Sequence, residues 1–236
     1  MVHDPGDAVA ALILLHDRAR GGRAGPNSMW TRMARELAEL GFVVLRFDYS
    51  RERDGFVIGR GLESSARPGL RVDLDLQLLR EVGSWFWERV PGLELFVVGS
   101  CFGASTAVGW AREQPDVAGM FLVVPWLRTL QERLGEKDGG ERDGDARPDG
   151  LSGRMVDAFD DALTHMPAWI LVGEHELPDV QALRRALPQR AQRFDVVVVP
   201  GMALYPPHYP DTQAVVREHL MRRLERVVAA APGSVA

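Results

Sequence analysis

The chain has one cysteine, one lysine and no long hydrophobic run, and each scarcity narrows what it can be. A single cysteine, Cys101, permits no internal disulfide and no multi-cysteine zinc site. An unbridged thiol fits reducing cytosol. No stretch approaches the ~20 apolar residues of a membrane span. The opening residues lack the basic region and small-residue cleavage site of a secretory leader, so a cytoplasmic location without a membrane partner is expected. Positive charge is also short: 28 Lys and Arg stand against 33 Asp and Glu, a net charge of -5. That balance offers no long-range attraction to nucleic acid. The arginine groups at 184, 185, 190 and 193, and at 217, 222, 223 and 226, alternate with apolar residues at helical spacing. They read as solvated helix faces. His16, Asp17, His175, Glu176 and His208 show no H-E-x-x-H or similar spacing, so no metal is expected. Without G-x-G-x-x-G after a first strand, a dinucleotide cofactor is not expected either.

What is present is an ordinary globular composition, 46% hydrophobic and 26% charged in 236 residues, enough for one domain over 1–236. Short, nearly all-apolar runs recur along it: Val9–Leu15, Phe42–Phe47, Leu93–Gly99, Gly119–Val124, Ala168–Gly173 and Phe194–Val199. Runs of this kind are strands buried on both faces of a parallel sheet. Between them, Trp30, Met33, Ala34, Leu37 and Ala38 recur at helical spacing behind Asn27 or Ser28 as a cap. Leu74, Leu78, Leu79, Val82 and Phe86 do the same, as do Val216, Leu220, Leu224 and Val227. The alternation predicts an α/β fold, a doubly wound, mostly parallel sheet of about six strands.

One stretch breaks the rhythm. Residues 126–166 hold the polar run Glu136–Gly150 between helix-like pieces at Leu127–Leu134 and Met155–Leu163. With almost no apolar side chain to bury, the run has little to offset the entropy of ordering. It reads as a loop insertion, or as a short mobile lid over a site at the carboxyl edge of the sheet.

The sharpest local signal is Gly99-Ser100-Cys101-Phe102-Gly103, at the end of a buried run and at the start of a small-residue helix. A nucleophile on such a turn needs a strained backbone to project its side chain above the sheet. Glycines two before and two after keep Cβ atoms out of the neighbouring strand and helix. The unpaired N–H groups and dipole of the helix start favour a thiolate, and the Phe102 N–H can hold an oxyanion. The competing reading is a buried structural cysteine.

This turn resembles the nucleophile elbow of α/β-hydrolases, and its cysteine is similar to that of the dienelactone hydrolase branch, which carries Gly-x-Cys-x-Gly. The resemblance spans nearly the whole chain. Leu14-Leu15-His16-Asp17 and the Gly-rich residues after it resemble the oxyanion loop of the family. Leu40 to Tyr49 resembles its next helix end and strand. The chain would then begin at the third strand of the family and lack the first two. Asp17 stands where the family has Gly, which leaves the Asp17 and Arg18 N–H groups as candidates for the second oxyanion donor. The order nucleophile, acid, histidine implies Glu176 as the acid, in Glu174-His175-Glu176-Leu177-Pro178-Asp179-Val180, with Asp179 in reserve. It implies His208 as the base, in the loop after the last strand. His175 is expected to be exposed, and His165 and His219 to be structural.

These residues together predict an acyl-transfer enzyme without a cofactor, acting on a small ester, lactone or thioester through Cys101, His208 and Glu176. Two alternatives share the fold. One is a lyase in which His208 removes a proton from carbon and a carboxylate is expelled. The other is a non-catalytic homologue that binds a ligand or partner.

Overall fold

A computed structural model of the chain describes residues 1–16, 24, 28–48, 68–125, 127, 153–202 and 210–230. Seven strands form one sheet: β1 (Val2–His3), β2 (Ala10–Leu15), β3 (Phe42–Arg46), β4 (Glu94–Ser100), β5 (Val117–Val123), β6 (Ala168–Gly173) and β7 (Phe194–Val199). Their order is β1-β3-β2-β4-β5-β6-β7. All neighbours run parallel except β1, which pairs antiparallel with β3. Among the described residues six α-helices connect or follow them: α1 (Met29–Glu39), α2 (Pro68–Trp87), α3 (Phe102–Ala111), α4 (Gly153–His165), α5 (Leu177–Ala186) and α6 (Pro210–Ala230).

The strands alternate between two cores, as a strand's period of two requires. Ala11, Ile13 and Leu15 of β2 face one way, with Leu95 and Val97 of β4, and are covered by α2 to α5. Ala10, Leu12 and Leu14 face the other way, with Phe96 and Val98, and are covered by α1 and α6. The sheet is therefore doubly wound, as the alternating runs predict. α1 buries Met29, Trp30, Met33, Ala34 and Leu37, one stripe at a spacing of three to four.

The differences from the sequence reading have local causes. β1 is an added strand, so the sheet has seven strands and an antiparallel edge precedes β2. Two residues are too few to show alternation, and β1 is held by backbone bonds: the Met1 ammonium donates to the Arg46 carbonyl at 2.9 Å, and the Arg46 N–H donates to the Met1 carbonyl at 3.0 Å. β5 begins at Val117 because the ladder to β4 shifts between Leu95 and Phe96, skipping Ala118, a bulge of the kind that small residues conceal. Ser28 is the residue before α1, but with φ 58° it makes no side-chain cap; Asn27 lies outside the described residues.

Within 126–166, Leu127 is buried, and residues 126 and 128–152 lie outside the described residues. The Met155–Leu163 piece lies within α4, where Phe159, Ala162 and Leu163 are wholly buried in the core. Truncating a phenylalanine so placed costs about 3–5 kcal/mol, so α4 is part of the folded body. No helix among the described residues is long and apolar enough to cross a membrane.

Candidate active site

β4 ends at Ser100 and α3 begins at Phe102, leaving Cys101 alone to turn the chain. It does so at φ 50°, ψ -108°, a region that costs a non-glycine residue about 1–3 kcal/mol and that persists where the surroundings enforce it. Here they do. The Cys101 N–H donates to the Val123 carbonyl at 2.9 Å, extending the β4–β5 ladder, and the Cys101 carbonyl accepts from Ala104 at 3.1 Å.

The two glycines act as the sequence spacing predicts. A Cβ on Gly99 would lie 2.5 Å from the Gly103 carbonyl oxygen and 2.6 Å from Ala104 Cα. One on Gly103 would overlap the Leu15 carbonyl and lie 2.7 Å from that of His16. The elbow is thus pressed against the carboxyl end of β2, and any larger residue would part them. His16, buried at that end, leads into Asp17 and Arg18, the oxyanion candidates, which lie outside the described residues.

Phe102 opens α3, so its N–H belongs to the first turn, where intrahelical acceptors are missing. Cys101 is buried, at 9% exposure.

β6 delivers the acid candidate. Its last residue, Gly173, donates its N–H to Glu176 Oε2 at 3.0 Å. Glu176 precedes α5 and is buried at 6% exposure. Glu176 Oε1 is also buried and has no hydrogen-bond partner among the described residues. A carboxylate oxygen left in that state costs at least about 1–3 kcal/mol. The Met202 carbonyl crowds the same glycine, since a Cβ on Gly173 would overlap it. The chain after β7 therefore passes beside Glu176 as it enters 203–209. That segment contains His208 and lies outside the described residues.

Asp179 is half-buried in the first turn of α5, and His175 is exposed as expected. His165 is exposed at the end of α4, and His219 is half-buried within α6. Both histidines stand apart from Cys101 in the chain's elements, one before β6 and one in the body of the last helix.

Val124 was not legible in advance. It follows β5 at φ 46°, donates to the Leu171 carbonyl at 2.7 Å, and is buried beside the strand that anchors Cys101. A β-branched residue is the last type expected at positive φ, so composition carries no sign of it.

In sequence, the chain matches no protein-family model and no curated protein. Its structure is similar to that of Est1E from Butyrivibrio proteoclasticus with ferulic acid bound, at TM-score 0.64 and 17% identity over 97% of this chain and 94% of that one. It is similar to a dienelactone hydrolase from Anabaena variabilis, at TM-score 0.59 and 18% identity over 94% and 88%. A highly thermostable carboxyl esterase from Bacillus coagulans matches at TM-score 0.60 and 15% identity over 96% and 93%. At such identities the likeness speaks for architecture alone, and that architecture is the α/β-hydrolase fold.

Proposed function

We propose that the chain is a hydrolase of small esters, lactones or thioesters that works through a covalent acyl-enzyme on Cys101. The observation that carries this reading is the backbone of Cys101, held at φ 50° between two glycines that tolerate no side chain. A structural cysteine needs no such strain.

In the proposed reaction the Cys101 thiolate attacks the carbonyl carbon, and the oxyanion is held by the Phe102 N–H together with that of Asp17 or Arg18. The tetrahedral intermediate collapses, and the alkoxide or thiolate leaves with the proton that His208 had taken from the thiol. Water then attacks the thioester, His208 accepts its proton, and the carboxylic acid departs as the thiolate is restored. Glu176 orients His208: its Oε1, buried without a partner among the described residues, is the acceptor for the His208 ring N–H. The solved relatives support the chemical class, being named as an esterase and a dienelactone hydrolase.

The whole chain is read as one domain. Because α4 packs in the core, Gly153–His165 is part of that domain's body and not of a lid.

Intact-mass spectrometry after mixing with p-nitrophenyl acetate or an acyl thioester tests the mechanism. An acetyl adduct confined to the Cys101 peptide, decaying in water, is the expected result. Turnover of the ester after complete alkylation of Cys101 would overturn it.

A further inference from the structure

On the face of the sheet that α6 covers, residues of β5, β6, β7 and α6 line a cavity of about 280 Å3. Trp169 and Asp195 are the second residues of β6 and β7. Leu171 and Val197, the fourth residues of the same strands, also line it, so the cavity spans the second to fourth residues of β6 and β7, whereas Cys101 follows the last residue of β4.

Its floor is aromatic and aliphatic. Phe121 of β5 and Trp169 stack with ring centroids 4.5 Å apart and planes 21° apart, and Leu171, Val197 and Leu220 continue the surface. Gly119 permits the arrangement: a Cβ there would lie 2.8 Å from the Trp169 ring.

Its rim is cationic. The Arg223 guanidinium lies 4.6 Å over the Trp169 ring and donates to Asp195 at 3.0 Å. Arg222 pairs with Glu218 at 2.6 Å. Arg226 also lines the cavity. Three guanidiniums against two carboxylates leave one positive charge, and it sits beside an apolar floor.

We propose that this cavity is a binding site for a small monoanion with an aromatic body, an aryl carboxylate. The two surfaces specify the two halves of that ligand. Rings gain by leaving water against Val197 and the edge of Trp169, the half-buried apolar groups of the lining. A carboxylate matches the planar donor fork of arginine and the single uncompensated charge. A bare inorganic anion leaves the apolar floor uncovered, and a polyanion exceeds the charge available. The volume lies just below the usual range of ligand pockets, about 300–1,000 Å3, which limits the ligand to one or two rings. Cys101 does not line this cavity, so the site stands or falls apart from the catalytic reading.

The test uses the full chain and two probes. Calorimetric titration with 1-naphthoate should give saturable binding. The Arg222→Ala/Arg226→Ala variant, changed at two exposed positions, should bind about tenfold or more weakly, the loss of one charge-assisted contact. Val197→Trp, which fills the cavity from its half-buried floor, should abolish binding. Photolabelling with 4-benzoylbenzoate should mark peptides of β6 or α6. Absence of saturable binding overturns the proposal. So does equal affinity for neutral 1-naphthamide, unchanged affinity in either variant, or label confined to the β4–α3 peptide.

Discussion

The N–H of Gly173 donates to Glu176 Oε2 at 3.0 Å, and the side chain that Gly173 lacks leaves the space in which that carboxylate and the Met202 carbonyl meet. One residue thus joins the end of β6, the start of α5 and the exit from β7. Gly173→Ala would bring a Cβ within 2.9 Å of Glu176 Oε2 and into the Met202 backbone. Overpacking of this kind costs about 1–3 kcal/mol, and it displaces the carboxylate as well. The expected result is a lower urea midpoint together with slower ester turnover. Gly92→Ala is the control: it has φ +80° with nothing near the new Cβ, so it should lose about 1–2 kcal/mol to backbone strain and leave turnover unchanged.

The acid assignment rests on ranking two carboxylates. Glu176→Gln keeps the shape of the side chain but offers His208 the wrong partner, and kcat should fall by about two orders of magnitude or more. Asp179→Asn, at a half-buried position on α5, should be mild. Steady-state hydrolysis of p-nitrophenyl acetate by both variants gives the order. A crippled Asp179→Asn beside a near-silent Glu176→Gln would move the acid one turn along.

Cys101→Ala should abolish turnover and leave thermal unfolding within a few degrees of the parent. The side chain is small, and alanine meets the same strain at φ 50°. Full turnover by a folded Cys101→Ala variant would remove the acyl-enzyme from consideration. Cys101→Ser should retain only weak activity, because a hydroxyl needs a stronger base than a thiol.

His3 predicts a loss of stability on acidification. Arg46 is buried, and its guanidinium donates to His3 Nε2 at 3.0 Å and to Thr31 Oγ1 at 2.9 Å. Arginine has no acceptor, so the imidazole nitrogen must be unprotonated. Burial first, then the charges of Arg46, Arg35 and the N-terminus, hold the His3 pKa below its usual 6.5. The unfolded chain therefore takes up a proton that the folded chain resists. The contribution is complete above about pH 6.5 and is lost as pH falls from there toward the folded value. Urea midpoints of the parent should drop between pH 7.5 and 5.5 by more than those of His3→Gln. Equal drops would show that His3 does not couple to folding.

Much of the architecture is legible along the chain because its signals are local. Each central strand is an apolar run, and each run appears as a strand within two residues of its expected bounds. The Gly99–Gly103 spacing is likewise local, since the glycines are needed by atoms only a few residues away, and by β2, which packs beside any such turn. β1 escapes notice because two residues carry no period. The start of β5 escapes because a bulge at Ala118 hides it. Val124 escapes because its strain is imposed by Leu171, forty-seven positions along the chain.

By itself, the sequence determined the parallel sheet, the helices on its two faces and the cysteine on its turn, since periodicity and glycine spacing act within one element at a time. Only the tertiary structure decided which carboxylate is buried. Glu176 and Asp179 lie three residues apart and look alike in sequence, but Glu176 is buried and accepts from the Gly173 N–H, whereas Asp179 is half-buried. It likewise decided that Trp169, Asp195 and three arginines of α6 surround one cavity. Those groups come together through strand order and helix packing, which depend on contacts between segments distant in the chain and leave no mark on any one of them.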